Sequence, residues 1–348
     1  MTTKIIPLAP ALLALAVLSS LSGASCAAGR LDVPVSQMVL PNGDPRYSVP
    51  VSVGNGPAFE AQLDTGSFGL RVLASALEPG NYEATDLHRG YAFGSGAKFD
   101  GVLARGTISV GGAATEAPVL FHLVQRVACV DDKPDCPAAR LKQQEYRIGG
   151  DGYAGQGFPA ILGLSMLRAA TDDSAQNPLT ATGPRSWILV LPRPGRSEPG
   201  HLIIDPDESD RAGFTLLKLE TPDGGRLAGW ADRALPGCLE DGGQRFCGRT
   251  LLDSGAPGVS VATDTVKSAK PWGKGHLGRI EIGGDNGPVS VPFRSGADYS
   301  TRVILHPQRG PDGAAQLAVG TLPYFSYAVL YDSQAGTIGF KARDPNEP

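Results

Sequence analysis

The sequence lacks the short motifs by which several classes of enzyme are recognised. It contains no Gly-x-Ser-x-Gly elbow of the kind that carries the nucleophile of α/β-hydrolases, and no Gly-Lys-Ser/Thr loop that would cradle a phosphate group. Its 5 histidines show no His-Glu-x-x-His or other paired spacing that would bind zinc. We therefore expect no metal ion and no cofactor.

A strong charge imbalance and long helical repeats are also missing. The formal net charge is −4, and no block of basic residues is present, so we expect no nucleic-acid partner. Apolar residues rarely recur at helical spacing, whereas glycine (46) and proline (29) are abundant. This combination predicts an all-β chain with many turns.

Residues 1–28 have the pattern of a secretory signal peptide. Lys4 precedes an apolar run from Ile5 to about Leu21, and small residues follow the run. A retained membrane anchor is the alternative, although prolines within the run and its small-residue end favour cleavage. The pattern predicts an exported protein, periplasmic or secreted.

The 5 cysteines comprise one lone residue and two close pairs. Cys26 ends an imperfect lipobox, in which Gly23 stands where a large aliphatic residue is expected, so lipidation of Cys26 and membrane attachment are an alternative to its removal. An oxidising compartment and the short spacings favour two local disulfides, Cys129–Cys136 and Cys238–Cys247, among the three possible connectivities. Metal-binding thiol pairs are the alternative, but the spacings do not fit a zinc ribbon.

Two short turns, far apart in the chain, share one pattern. Asp64–Phe68 (Asp-Thr-Gly-Ser-Phe) follows an alternating apolar run, and Asp253–Pro257 (Asp-Ser-Gly-Ala-Pro) follows Thr250–Leu252. Another apolar stretch comes after each turn, which indicates a strand, a tight glycine turn and a return strand. Each turn places a carboxylate at the exposed lip of a sheet, where the glycine lets backbone amides approach it. Together they predict two carboxyl groups that meet across a pseudo-two-fold axis and share one proton.

Several segments, taken in order, resemble those of the two-lobed, pepsin-like aspartic peptidases. A lone Asp-Thr-Gly triplet is a weak signal, but the family's segments in the family's order, over most of the mature chain, are a strong one. The segments are Tyr47–Gly54 for the first strand, Ala61–Ser67 for the first turn, Phe93–Gly96 with Thr107–Gly112 for the flap, Ala160–Leu164 for the hydrophobic-hydrophobic-Gly segment, Leu252–Gly255 for the second turn, and Ala318–Gly320, Phe325–Asp332 and Ile338–Phe340 for the last strands.

The resemblance implies an all-β, bilobal fold in which two related, barrel-like lobes flank a central cleft. Residues 30–205 would form the N-terminal lobe with its flap, and residues 206–348 the C-terminal lobe. It also implies an aspartic endopeptidase in which Asp64 and Asp253 activate a water molecule to hydrolyse a peptide bond. The partner would be a peptide or protein substrate in an extended conformation, and the enzyme would be a monomer.

The resemblance also assigns supporting roles to the neighbours of the two carboxyl groups. Thr65 and Ser254 would tie the two turns together through hydroxyl-to-backbone hydrogen bonds. Gly66 and Gly255 would offer backbone amides, and Ser67 would donate its hydroxyl to the first carboxylate. For an isolated Asp the alternative is a role in capping its turn.

Residues 84–112 are expected to form the flap that covers the cleft. Tyr91, Phe93, Gly94 and Ser95 would contact the substrate there, exclude water and offer backbone hydrogen bonds to an extended peptide. An ordinary surface hairpin is the alternative.

Three residues depart from the family's pattern. Phe93 stands where a flap tyrosine is usual and Arg71 where its tryptophan partner is usual, so the flap is either looser or steadied by Tyr91. Ala256 replaces a hydroxyl residue that would donate to the second carboxylate, and this loss should raise the pKa of that group and give a pH optimum less acidic than pepsin's. Arg71 is also expected to reach the cleft and to favour acidic or polar substrate side chains.

Two other functions fit the same features. The two-lobed fold would also suit a catalytically weak or inactive binding or inhibitor protein, although such relatives often lose one Asp and this chain keeps both. A lipid-anchored β-protein with no chemistry in a cleft is the other alternative.

Overall fold

The structure is a computed structural model that describes residues 1–2, 29–171, 173–181, 183, 185–241, 243–284, 287–307 and 314–344. Most of the predicted signal peptide, with Cys26, lies outside the described residues. Within them, the chain contains no helix with the length and apolar character needed to cross a membrane.

β-strands dominate the described chain, which confirms the all-β class predicted from composition. Two single-turn helices are present, α1 (Pro178–Ala181) and α2 (Glu208–Arg211), with 3₁₀ turns at Ala74–Ala76, Pro137–Arg140 and Leu322–Phe325. The strands are β1 (Leu31–Val39), β2 (Pro45–Val53), β3 (Phe59–Asp64), β4 (Phe68–Leu73), β5 (Glu83–Ala92), β6 (Ala97–Gly106), β7 (Ile108–Val110), β8 (Ala113–Ala114), β9 (Val119–Cys129), β10 (Ala160–Leu164), β11 (Leu167–Ala169), β12 (Ser186–Val190), β13 (Gly200–Ile204), β14 (Thr215–Lys218), β15 (Leu227–Gly229), β16 (Leu235–Asp241), β17 (Gln244–Leu251), β18 (Val259–Thr263), β19 (Lys270–Pro271), β20 (Leu277–Ile282), β21 (Val289–Arg294), β22 (Val303–Pro307), β23 (Ala315–Ala318), β24 (Tyr327–Asp332) and β25 (Thr337–Ala342).

Among the described residues, the strands form a 15-stranded sheet, an 8-stranded sheet and a 2-stranded ribbon. The large sheet follows the order β14-β25-β24-β12-β13-β1-β2-β3-β10-β4-β9-β6-β5, with β7 and β8 beside β2. The smaller sheet follows the order β19-β22-β18-β23-β17-β16-β20-β21. Strands from both ends of the chain therefore share the large sheet, on both sides of the lobe boundary predicted at residue 205.

One arrangement of strands occurs twice. β10 lies between β3, to which it is parallel, and β4, to which it is antiparallel. In the smaller sheet β23 lies in the same way between β17, parallel, and β18, antiparallel. The Asp64 turn joins β3 to β4, and the Asp253 turn lies between β17 and β18. Each turn therefore comes from the middle of a sheet, at the same point of a repeated unit.

Gly163 shows why a glycine interrupts the apolar residues of β10. It lies opposite Asp64 in the pairing with β3 and opposite Gly69 in the pairing with β4. A Cβ atom at this position would lie 2.6 Å from the carbonyl carbon of Phe68. No side chain fits there, so the residues that follow the Asp64 turn can pack directly against the β10 backbone.

Both predicted cysteine pairs are disulfide-bonded. Cys238 and Cys247 face each other across β16 and β17 with a Cα separation of 4.1 Å. Cys129, at the end of β9, bonds to Cys136 with a Cα separation of 5.6 Å. The two cysteines of the Cys129–Cys136 disulfide pack in a small apolar cluster with Phe99 of β6.

A buried carboxyl group, Asp232, joins segments that are distant in the sequence. Its side-chain oxygens accept hydrogen bonds from the Ser165 hydroxyl at 2.6 Å and from the Met166 amide at 2.7 Å. Burial raises the pKa of Asp232 to about 6, although both hydrogen bonds oppose the shift. The folded state therefore binds more protons than the unfolded state between about pH 4 and pH 6, and stability falls as pH rises through this range.

We predict that Asp232→Asn reduces this pH dependence. The slope of the unfolding free energy between pH 4 and pH 6 should become less negative, by up to about 1.4 kcal/mol per pH unit. Urea denaturation at several pH values measures the slope. The exposed carboxyl group of Asp264 offers a matched control, Asp264→Asn, which should leave the slope unchanged. Equal slopes for wild type and Asp232→Asn would contradict the assignment.

Candidate functional site

The structure brings Asp64 and Asp253 together, and a Cβ atom at Gly255 would lie within 3.2 Å of a carboxyl oxygen of each. Asp64 is the last residue of β3 and is only 5% exposed, whereas Asp253 is half-buried. A Cβ atom at Gly66 would lie 2.6 Å from a carboxylate oxygen of Asp253. A Cβ atom at Gly255 would lie 2.7 Å from a carboxylate oxygen of Asp64. Both glycines are therefore required by space, because any side chain would collide with the opposite carboxyl group.

The two turns are cross-linked by Thr65 and Ser254. The Thr65 amide donates to the Ser254 hydroxyl at 3.0 Å, and the Ser254 amide donates to the Thr65 hydroxyl at 2.9 Å. Each hydroxyl also donates to a carbonyl of the opposite strand, Thr65 to Leu252 at 2.8 Å and Ser254 to Leu63 at 3.1 Å. These four buried bonds fix the separation of the two turns.

The hydrogen bonds around the two carboxyl groups are unequal. Asp64 accepts from the Gly66 amide at 2.8 Å and from the Ser67 hydroxyl at 2.5 Å. Asp253 accepts from the Gly255 amide at 2.9 Å, but Ala256 stands where Ser67 stands in the first turn and has no hydroxyl to donate. Asp64 thus has two neutral donors suited to a carboxylate, and Asp253 has one.

The shared proton belongs on Asp253. Burial, then the negative charge of Asp64, then the hydrogen bond with Asp64 raise the pKa of Asp253 to about 7. Two neighbouring carboxylates in a buried site repel each other strongly, so the carboxyl group with fewer hydrogen-bond donors retains the proton. The pair can therefore accept a proton at Asp64 and donate one from Asp253 below neutral pH.

Tyr324 and Tyr331 continue this network into the large sheet, and no local sequence pattern marks them as part of the site. The Tyr324 hydroxyl donates to the Thr65 hydroxyl at 2.9 Å and lies 2.6 Å from the Tyr331 hydroxyl. Tyr331 stacks on Trp187 of β12, with ring centroids 5.6 Å apart. All three rings are at most 2% exposed. The Thr65 side chain is therefore held from the side away from the cleft as well.

The flap residues named from the sequence share one cavity with the carboxyl pair. β5 and β6 form a hairpin, and Tyr91, Phe93, Gly94 and Ser95 line a cavity of about 550 Å³ together with Asp64 and Asp253. The segment that follows the Cys129–Cys136 disulfide forms another wall, through Pro137, Tyr146, Ile148, Gly149, Gly150 and Asp151. The cavity is thus bounded by the hairpin, the carboxyl pair and the 137–151 segment.

The tip of the hairpin is fastened to the disulfide loop. The Lys133 ammonium group donates to the Gly94 carbonyl at 2.5 Å, and the Val130 amide donates to the Gly96 carbonyl at 2.9 Å. A Cβ atom at Gly96, whose φ is +93°, would lie 2.8 Å from Cβ of Lys133. The loop and the tip therefore pack in direct contact.

Arg71 does not line the cavity, contrary to the expectation that it meets substrate side chains. Its side chain is buried, with the residue 3% exposed, and its Nη1 donates to the carbonyls of Phe68 at 2.9 Å and Gly69 at 3.2 Å. The guanidinium carbon lies 3.6 Å from the ring centroid of Tyr91. The flap ring stands between the cation and the cleft. The charged groups that line the cavity are instead Arg46, Asp151 and Arg233, besides the carboxyl pair.

Comparison with known proteins adds no assignment to this geometry. No protein-family model matches the chain, and no curated protein shows significant sequence similarity to it. In the described part of the chain, no group of three or more His, Cys, Asp and Glu side chains could hold a metal ion.

We predict that Tyr324→Phe destabilises the protein. It removes a donor to the buried Thr65 hydroxyl and a partner of the Tyr331 hydroxyl, which should lower the unfolding free energy by about 1–3 kcal/mol. Tyr327→Phe is the matched control, because its hydroxyl bonds to the Ser290 amide at the surface and should change stability by less than about 0.5 kcal/mol. Urea denaturation compares the two. Equal changes in unfolding free energy for the two variants would show that the buried Tyr324 hydroxyl stabilises the protein no more than an exposed one.

Proposed function

We propose that the protein is an aspartic endopeptidase with a pepsin-like, two-lobed fold. The observation that carries the proposal is the meeting of Asp64 and Asp253 on one cavity, and the raised pKa of Asp253 supports a proton shared by the pair. Hydrogen bonds between Thr65 and Ser254 cross-link the two turns. The carboxyl groups can approach each other only because Gly66 and Gly255 have no side chains. The repeated placement of β10 and β23 beside the two turns supports the two-lobed architecture.

The proposed reaction is general acid–base hydrolysis without a covalent intermediate. Asp64, as the carboxylate, takes a proton from a water molecule, and the resulting hydroxide adds to the carbonyl carbon of the scissile peptide bond. Asp253 donates its proton to the carbonyl oxygen, which gives a neutral gem-diol. The proton held by Asp64 then passes to the nitrogen, the C–N bond breaks, and a diol proton returns to Asp253. The pair thus ends in its starting state.

The shape of the cavity favours an extended peptide as the substrate. The hairpin places Gly94 and Ser95 of its tip on the cavity, where backbone amides and carbonyls can bond to a peptide main chain. Aromatic and aliphatic side chains from the hairpin and the 137–151 segment offer apolar surface on the same side. Arg233 is exposed and lines the cavity beside Asp253, so an acidic substrate group near it would be favoured.

We further infer that the enzyme works outside the cytoplasm. The N-terminal pattern is that of an exported protein, and the disulfides Cys129–Cys136 and Cys238–Cys247 suit an oxidising compartment. The Cys129–Cys136 loop also contacts the hairpin tip. Oxidation would therefore help to order one edge of the proposed substrate cleft.

We predict that Asp64→Asn and Asp253→Asn each abolish cleavage of an unstructured protein substrate. Loss of the base or of the acid should lower kcat by at least about 10²–10⁴-fold. A transition-state mimic of the pepstatin type should block the wild type, and Asp264→Asn should retain full activity. Cleavage that persists in both Asn variants would reject the mechanism. Binding of the mimic without any cleavage by the wild type would instead support a binding or inhibitor protein.

We predict that the activity of the wild type declines as pH rises through about 7, because Asp253 must hold its proton. Ala256→Thr should move this decline to lower pH, since a hydroxyl donated to the Asp253 carboxylate favours its charged form and lowers its pKa. Ala256→Val is nearly isosteric with the Thr variant but has no hydroxyl, so it should not move the decline in that direction. The pH dependence of kcat/KM measures both. A wild-type optimum near pH 2, or the same shift in both variants, would overturn this account of Ala256.

A further inference from the structure

Arg71 is a buried cation that forms no salt bridge with a described residue, although the negative charge of Asp64 acts on it and partly opposes the lowering of its pKa by burial. It lies in β4 and is 3% exposed, and its Nε atom has no hydrogen-bond partner in the described part of the chain. Desolvation by burial lowers the pKa of its guanidinium. Its neighbour in β9, His122, is also buried, and burial followed by the charge of Arg71 lowers its pKa to about 4. The pocket therefore carries one cation, and that cation is costly to bury.

The contacts of Arg71 join the flap to the first carboxyl turn. On one side, its Nη1 donates to the carbonyls of Phe68, the last residue of the turn, and of Gly69, the next residue. On the other side, its guanidinium carbon lies 3.6 Å from the ring centroid of Tyr91 and 5.7 Å from that of Phe93. The two flap rings contact each other edge to face, with centroids 4.7 Å apart. One side chain thus spans from the backbone behind Asp64 to the aromatic pair on the flap.

We propose that Arg71 is a positioning residue that holds Tyr91, and with it the flap, over the cleft through a cation–π contact. A guanidinium is attracted to the face of an aromatic ring, and the attraction is stronger where water is excluded. The carbonyls of Phe68 and Gly69 fix the position of the guanidinium. Because Tyr91 packs on the guanidinium, its distance from the carboxyl pair is determined by the backbone beside Asp64. The flap is therefore steadied by a charge beneath it, in place of a hydrogen bond between two side chains. The proposal rests on the proposed function, because the position of the flap matters to substrate binding.

The melting temperature distinguishes a residue that positions the flap from one that only stabilises the fold. Replacing a buried charge by an apolar side chain of similar length is often neutral or stabilising, since the desolvation cost disappears. Arg71→Met should therefore leave the melting temperature unchanged or higher, while kcat/KM falls about tenfold, the change that corresponds to 1.4 kcal/mol. Arg71→Lys keeps a cation near the ring and should recover part of that loss. A fall in melting temperature with no selective loss of kcat/KM would overturn the proposal.

A double-mutant cycle tests whether the effect acts through Tyr91. In a Tyr91→Leu background, Arg71→Met should have little further effect on kcat/KM, because the ring that it positions is gone. Lys133→Met is the matched control, since Lys133 holds the Gly94 carbonyl at the flap tip without touching Tyr91. It should have the same effect in both backgrounds. Independent, additive effects of Arg71→Met and Tyr91→Leu would contradict the proposal.

Hydrogen exchange gives a readout that needs no enzymatic activity. The amide of Phe93, bonded to the Ala97 carbonyl, and the amide of Gly96, bonded to the Phe93 carbonyl, report flap opening. Arg71→Met should speed their exchange about tenfold and leave the core of β10 unchanged. Faster flap exchange in a protein that cleaves nothing would uphold the Arg71 contact and reject the peptidase. Unchanged exchange in an active peptidase would reject the contact alone.

Discussion

The hydrogen bonds exchanged by Thr65 and Ser254 are the constraint on which the rest of the site depends. Two carboxyl groups in a partly buried cleft repel each other when both are ionised, and burial adds a further cost. The cross-linked turns prevent Asp64 and Asp253 from moving apart to relieve that cost. A proton bound by Asp253 relieves the repulsion instead. The rigid turns therefore hold a protonated acid, Asp253, beside a base, Asp64.

Features that depend on residues adjacent in the chain could be predicted from the sequence. The alternation of apolar residues before Asp64, and the Gly that follows each Asp, predict a strand and a tight turn without knowledge of the partner. The cysteine pairs are close enough in sequence that loop length favours local bonds. The all-β class follows from abundant turn residues and few helical runs, because each is a local property. Two copies of one turn then suggest that they meet.

Contacts between residues far apart could not be predicted in the same way. Tyr324 lies 259 positions from Thr65, and nothing in its local sequence marks its hydroxyl as a partner. Arg71 was misplaced because β4 is buried at nearly every position, so alternation does not show which way a side chain points. Nothing in the local sequence of Asp232, which lies between Ala231 and Arg233, marks its carboxyl group as buried; only the packing of Ser165 and Met166 around it makes it a buried group.

The partners of Thr65 show that the carboxyl pair is a product of the whole chain. Its hydroxyl and amide bond to Leu252, Ser254 and Tyr324, which belong to two later parts of the sequence. Tyr324 is itself linked to Tyr331 of β24, a strand that pairs with β12 in the large sheet. A partly folded chain without these strands would leave the buried hydroxyl groups unpaired and the carboxyl groups apart. Assembly of the site is therefore coupled to completion of the sheet, and the cost of burying Asp253 is offset by contacts that form cooperatively across the molecule.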